Sequence, residues 1–429
     1  MSDHLPADVV TRILVRLPVA ALLRCRSVSR AWRSLIDSPM FTNLQIEHSA
    51  ATGENAILYI SESHGDYVAA EYVNGLRRGI ARTPPAQTGG GTDPRQVVAL
   101  LGSCNGLLCF ACDWEKVIVS NPATRTDCLL PFTLLFKSHT VGTYRYYDGS
   151  RNVIYNHGYG FGHDPISDDY KVVQIVQLFK PEVHSLNSHL VSYGVRSNSQ
   201  VDVEFPYVLF DSRDIGVFVG GAMHWIVGKL EDPNSDDFDP DPDIVLVGFD
   251  LGRNESRELP QPKYTNGGES FTFKLGELGK CLCIFADYKD RYVEAWMMKE
   301  YGVKESWSIL FSVPYPGLCF SDTINPLGFS VTGQEVLLQL DGKRLVWYDM
   351  KDPMKVVAAE EITVNGLKGE SLDAVLCYGS LVSPGAKIPR PKEEVKVDKR
   401  QEKPGPRRKK KTQRNKRDEF LASGFKLKL

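Results

Sequence analysis

The sequence predicts an α+β chain in three parts: a helical module of three short helices (1–48), an all-β propeller-like domain (49–384) and a disordered basic tail (385–429). Three observations carry this division. Apolar residues repeat at helical spacing only in the first forty or so positions. From about residue 56 to 384, short alternating or apolar runs recur between Gly, Asn, Asp and Pro. Charge divides the chain in the same places, with six Arg against four acids in 1–48, 28 basic against 43 acidic in 49–386, and 17 basic against 6 acidic in 387–429. The formal charge of −2 over 429 residues therefore sums parts of +2, −15 and +11.

In the helical module, Pro6 suits the start of a first helix, and Asp8 stands where a carboxylate favours the helix dipole. Val9, Ile13 and Leu17 repeat at helical spacing, with Val10 and Leu14 widening the stripe. Leu17-Pro18 ends this helix, because the residue before proline is pushed out of the α region. Pro18 then opens a second helix carrying Leu22, Leu23 and Cys25, and Ser27 or Ser29 caps a third on which Val28, Trp32 and Leu35 share a face. Three helices this short cannot enclose all of these side chains, so a partner or the following domain must complete the surface.

LPADVVTRILVRLPVAALLRCRSVSRAWRSLI, residues 5–36, resembles an F-box. Leu5, Pro6, Ile13, Leu14, Leu17, Pro18, Leu22, Leu23, Val28 and Trp32 stand at the motif's positions. The resemblance implies docking onto a Skp-type adaptor and, through it, a cullin, with apolar anchors supplying affinity and a polar rim supplying register. Leu5, Pro6, Leu17, Pro18 and Leu22 are the foremost expected contacts. Val28, Trp32 and Leu35 can equally hold the helices together, and Trp32 suits an internal position better.

The strand-like runs that follow include GLLCFAC, EKVIVS, DYKVVQIVQLF, IVLVGFD and CLCIFADY. VSNPATRTDCLLP, turning at Asn121, is echoed by VGFDLGRNESRELP at Asp250, and more loosely near Lys299 and Asp349. The last three turns lie about fifty residues apart, a spacing typical of kelch-like blades, which suggests about six blades, with seven as an alternative. Radial closure also suits many short strands, because it protects sheet edges. LLGSCNGLLCF, VSNPATR, YGFGHDPISDDYKVVQI, GVFVGGAMHWIVG, GFDLGRNESRELP and SLVSP resemble, in that order, the F-box-associated domain of plant F-box proteins. Two departures are the long segments 76–95 and 231–243.

Several local patterns are tested as sites and set aside. Cys109 and Cys112 form a CxxC on a strand, where they project to opposite faces, and no second pair completes a zinc site. No metal or cofactor is expected. GYGFG, with Gly158, Gly160 and Gly162, lacks the GxGxxG spacing and the following helix that a phosphate loop needs. Asp239, Asp241 and Asp243 imitate the opening of a calcium loop, but Ile244 replaces its glycine. His224, on an apolar strand, reads as a hydrogen-bonded core histidine. With no nucleophile–base constellation, no catalytic residue is assigned.

The resemblance implies the substrate-recognition subunit of an SCF-type ubiquitin ligase, which holds a protein substrate for ubiquitination by enzymes recruited elsewhere in the complex. A non-ligase interaction scaffold and a propeller enzyme with a helical cap are the alternatives. Substrate choice is expected on loops of one propeller face. Candidates are segments 76–95, 137–157 and 231–243; the middle one carries Tyr144, Arg145, Tyr146, Tyr147 and Arg151, types enriched at binding hot spots.

The tail is proline-punctuated, basic and poor in core residues, hence disordered. Arg407, Arg408, Lys409, Lys410 and Lys411 look like a nuclear-import signal read by an importin, giving an expected distribution over nucleus and cytoplasm. A solvated tail with no address is the alternative, and specific nucleic-acid binding has little support because only Phe420 and Phe425 could stack on bases. No apolar run reaches eighteen residues, so no membrane span is expected, and the N-terminus lacks a secretory leader's features.

Overall fold

The computed structural model describes residues 6–52, 56–62, 67–72, 97–112, 116–130, 153–180, 185–210, 214–230, 242–264, 272–288, 291–314, 324–330, 332–340, 344–351 and 372–385. Helix α1 (Ala7–Leu14) begins behind Pro6, α2 (Val19–Cys25) behind Pro18, and α3 (Arg30–Ile36) behind Ser29. Both prolines sit just outside the helix with extended ψ, where a missing N–H costs nothing. Of the two candidate caps it is Ser29 that acts, its Oγ accepting from the Trp32 N–H at 3.1 Å. Leu14, Leu22, Ile36 and Phe41 form the module's core, with Leu17, Trp32 and Leu35 packed against it.

The module has a fourth helix, α4 (Pro39–Thr52), where the sequence predicts three. Its buried face is Phe41, Gln45 and Ser49, at i, i+4 and i+8. Two of those three residues are polar, so no apolar stripe announces the helix.

Strands β1 (Ala56–Glu62) and β2 (Tyr67–Tyr72) follow. The first full sheet is β3 (Val97–Cys104), β4 (Leu107–Cys112), β5 (Lys116–Asn121) and β6 (Thr126–Leu129), paired in chain order. The second is β7 (Val153–Asp164), β8 (Asp169–Lys180), β9 (Ser185–Gly194) and β10 (Gln200–Glu204). The innermost strand of the third comes in pieces: β11 (Tyr207–Leu209) and β13 (Val217–Val219) pair with opposite ends of β14 (Ala222–Lys229), while β12 (Asp214–Ile215) runs parallel to β7. Strands β15 (Ile244–Asp250) and β16 (Glu255–Leu259) complete it. The fourth is β17 (Thr272–Leu278), β18 (Cys281–Asp287), β19 (Tyr292–Met298) and β20 (Trp307–Pro314), and the fifth is β21 (Ile324–Phe329), β22 (Glu335–Leu340) and β23 (Arg344–Asp349). Finally β24 (Leu372–Tyr378) pairs antiparallel with β1, joining β1 and β2 into one sheet with the far end of the chain.

Innermost strands pack on one another around a ring: β3 on β7, β7 on β13 and β14, these on β17, β17 on β21, β21 on β24, and β24 back on β3. The expected helical module followed by a propeller is what the chain forms. The first, fourth and fifth sheets are each one continuous run, β12 leaves the run of the third to join the second, and the sheet that closes the ring joins β1 and β2 to β24.

Because a four-stranded meander ends on the side where it began, the innermost strands from β3 to β21 start at the same end of the ring. Hairpins between strands one and two, and between three and four, therefore share one face. Among the described residues, that turn face carries all six non-glycine residues of positive φ: Asn105, Arg125, Asp168, Asn198, Asn254 and Lys280. The Asx turns explain the sequence repeat. Asn121 Oδ1 accepts from the Ala123 and Thr124 N–H groups, Asp250 Oδ1 from Gly252 and Arg253, and Asp349 Oδ1 from Lys351. At the opposite end, here the loop face, β7, β17 and β21 begin, β14 ends and β15 begins.

GYGFG is neither loop nor helix cap but the middle of β7. Gly158, Gly160 and Gly162 point the same way, and a Cβ on any of them would meet Leu209, Met223 or Phe218 of the third sheet. The glycines let two blades approach closely. Beside them Lys171, 7% exposed, joins the same blades: its Nζ bonds Asp164 Oδ2 at 3.1 Å within its own blade, and the Leu251 carbonyl and Asn254 Oδ1 (3.3 Å) across the gap.

Candidate partner-docking surfaces

The helical module presents an apolar face beyond its own core. Of the residues at F-box positions, Leu14 and Leu22 are buried, at 1% and 0% exposure. They pack in the core of the module, where in α1 the neighbour of Leu14, Ile13, turns outward and in α2 Leu22 fills the centre. Leu17 and Trp32 pack against this core and are half-buried, as is Leu23. Pro6 and Pro18 are exposed, as are Ile13 at 50% and Val28 at 65%. Leu5 lies outside the described residues.

Two residues of α4 join this exposed apolar set, Met40 at 63% and Leu44 at 39%, and sequence reasoning missed both. The signal available was MFTNL, in which Met40 and Leu44 stand at i and i+4 beside the buried Phe41. Exposed large apolar side chains concentrated on a small module mark a docking surface more specifically than exposure of any one of them.

On the propeller, Tyr144, Arg145, Tyr146, Tyr147 and Arg151 lie outside the described residues, as do segment 76–95 and all of 231–243 except Pro242 and Asp243. The described residues add an exposed apolar pair. At the loop end of the third blade, Ile244 stands opposite Gly228, and the ring of Phe210 together with Pro242 covers that glycine. Phe210 is 52% exposed and Ile244 45%, so an aromatic and an aliphatic side chain face solvent where the acidic connection 231–243 leaves and re-enters the sheet.

Electrostatics elsewhere in the propeller are structural. His224 is fully buried: its Nδ1–H donates to the Val217 carbonyl at 2.9 Å, and the Tyr301 hydroxyl donates to Nε2 at 2.7 Å. Burial pushes its pKa down to about 4, so the ring stays neutral and serves as a bridge between the third and fourth blades. Cys109 is buried in the core between the first two blades. Burial raises the Cys104, Cys283 and Cys377 thiols far above neutrality, which keeps them protonated. Among the described residues no group of three or more His, Cys, Asp or Glu is placed to hold a metal.

Comparison with known proteins matches both halves of this architecture. The F-box domain model matches residues 2–44, and the F-box associated beta propeller domain model matches residues 88–368. F-box protein CPR1 of Arabidopsis thaliana is 31% identical over 450 aligned residues that cover 99% of each chain. An F-box/kelch-repeat protein of the same plant is 30% identical over 346 residues, covering 79% of this chain and 86% of the relative. A four-helix module with an outward apolar face, a propeller closed by both chain ends and these two matched domains place the chain in one family: it belongs to the plant F-box proteins that carry an F-box associated beta propeller domain.

Proposed function

We propose that this chain is the substrate-recognition subunit of an SCF-type ubiquitin ligase, a non-catalytic part that docks on a Skp-type adaptor and presents a protein substrate held by the propeller. An F-box joined to a propeller supports a substrate-adaptor role in general. The observation that carries the finer reading is the exposure of four large apolar side chains on the small helical module, Ile13, Val28, Met40 and Leu44. Substrate is assigned to the loop face, where Phe210 and Ile244 are exposed. The chain then acts by proximity, raising the effective concentration of substrate lysines at the charged ubiquitin.

Affinity purification of the tagged full chain with the proteasome blocked tests this. Adaptor and cullin are expected to co-purify, along with a partner that disappears when the proteasome runs. Adaptor without cullin would instead identify a non-ligase scaffold.

We also propose, from the sequence, that Arg407–Lys411 recruits an importin and spreads the protein over nucleus and cytoplasm. Deleting residues 399–417 should shift a fluorescently tagged chain out of the nucleus; an unchanged image removes import from the tail's role.

A further inference from the structure

Between the F-box and the ring lies a short stretch of chain, Gly379–Ser383, that follows the closing strand β24. Its backbone is taken up from three sides. From the helical module, Gln45 Nε2 donates to the Gly379 carbonyl at 2.9 Å. From the first blade, Asn121 Nδ2 donates to the carbonyls of Ser380 (3.0 Å) and Val382 (2.7 Å), while Ser380 Oγ donates to the Asn105 carbonyl at 2.6 Å. From the second blade, Arg196 Nη2 donates to the Ser383 carbonyl at 3.0 Å.

Side chains divide the same way. Leu381 packs on the F-box core of Leu14, Leu22, Ile36 and Phe41. Val382 is part of the core between the first two blades, and Ile46 of α4 packs on that core from the helical side. Asn121 and Ser380 are 0% and 1% exposed, and Gln45 is 2% exposed. A Cβ at Gly106, φ +80°, would run into Ser380 and the Tyr378 carbonyl, so the tight Asn105-Gly106 turn also shapes the seat.

We infer that Gly379–Ser383, gripped by Gln45 and Asn121 and tied to the Asn105 turn by its own Ser380, is a clasp that fixes the orientation of the F-box on the propeller, and that these are positioning residues for substrate presentation. The clasp itself is independent of the ligase assignment; its value for presentation rests on that reading. Only three residues, 53–55, join α4 to β1 along the chain, and a covalent tether of that kind limits distance but not direction. A buried polar clasp limits both, because an amide that leaves its carbonyl partner strands a desolvated group. With direction fixed, a substrate on the loop face meets the conjugating enzyme along one line of approach, as effective-concentration arguments require.

Distance distributions between spin labels, carried by unnatural amino acids at Arg16 on the F-box and Lys274 on the fourth blade, test the clasp in the full-length protein, free and bound to adaptor. The native chain is expected to give one narrow distance. Gln45→Glu keeps the volume but removes the donor, and Leu381→Ala removes the apolar plug. Each is expected to broaden the distribution at least about twofold while the urea midpoint of the propeller and adaptor affinity stay within about twofold. A distribution that stays narrow in both variants overturns the clasp. Failure of the native chain to bind adaptor sinks the ligase reading, and the free-chain distances then decide the clasp by themselves.

Discussion

Ile13→Asp combined with Val28→Asp is expected to abolish capture of a Skp-type adaptor while the helical module stays folded. Both side chains are exposed, at 50% and 65%, and neither belongs to the core of Leu14, Leu22, Ile36 and Phe41. Burying an aliphatic side chain of this size in an interface is worth about 1.5–3 kcal/mol, so removing two weakens binding by at least about 100-fold. A carboxylate in the same place adds the cost of desolvating an unpaired charge. Calorimetric titration with purified adaptor, alongside circular dichroism, separates the two effects. Affinity within about threefold of the native value would take these residues out of the interface. Alanine at Leu14 or Leu22 would also weaken binding, but through a destabilised module, because each removes a fully buried leucine.

The second large effect is expected at Lys171→Met. In the native protein Asp164 is 1% exposed and holds Lys171 Nζ, the Ser167 hydroxyl and the N–H groups of Ile166 and Ser167. Removing the ammonium leaves a buried carboxylate and the Leu251 carbonyl without their cation, a class of change that costs about 3–5 kcal/mol. The low end, about 3 kcal/mol, applies because Asp164 keeps its other donors. Asp164→Asn added to Lys171→Met should recover part of the loss, since the amide oxygen can still cap the turn without charge. Urea titrations of the single and double variants check this, and a single-variant loss below about 1 kcal/mol would show the pair to be dispensable.

The same site makes a pH prediction. Burial would raise the Asp164 carboxyl, but the Ser167, Ile166 and Lys171 hydrogen bonds, together with the lysine charge, hold it below its usual range. A carboxyl depressed in the fold stabilises it above the ordinary carboxylate pKa near 4, and that contribution fades as pH falls through the lower folded value. The double variant should lack this part of the acid sensitivity.

Much of this fold was legible where a residue type leaves the backbone no choice. Pro6, Pro18 and Ser29 punctuate the first three helices as expected, since each acts through its own φ, missing donor or hydroxyl. The Asn121, Asp250 and Asp349 turns were legible for the same reason, as each side chain caps its own turn. The fourth helix was not, because Gln45 and Ser49 bury polar groups whose partners lie partly outside the helix, in Gly379. Nor does helical spacing tell which flank of an apolar stripe turns outward. Leu14 and Ile13 are adjacent, and only packing against α4 and its neighbours decides that the first is core and the second is surface. Phe210 was invisible for a related reason. It ends an apolar run that looks wholly buried, and its exposure follows from the broken innermost strand of the third blade.

The pairing of β1 with β24 also sets a timetable. Ile57 lies opposite Cys377, 320 residues later in the chain. At roughly 5–20 residues per second of synthesis, β1 waits about 16–64 s for its partner, and Gly379–Ser383 emerges later still. Throughout that interval the F-box is already outside the ribosome while the ring is open. Adaptor recognition therefore matures before the receptor does. A product that stops short of β24 would keep an adaptor-binding head on a propeller that cannot close, and would occupy adaptor without delivering anything to it.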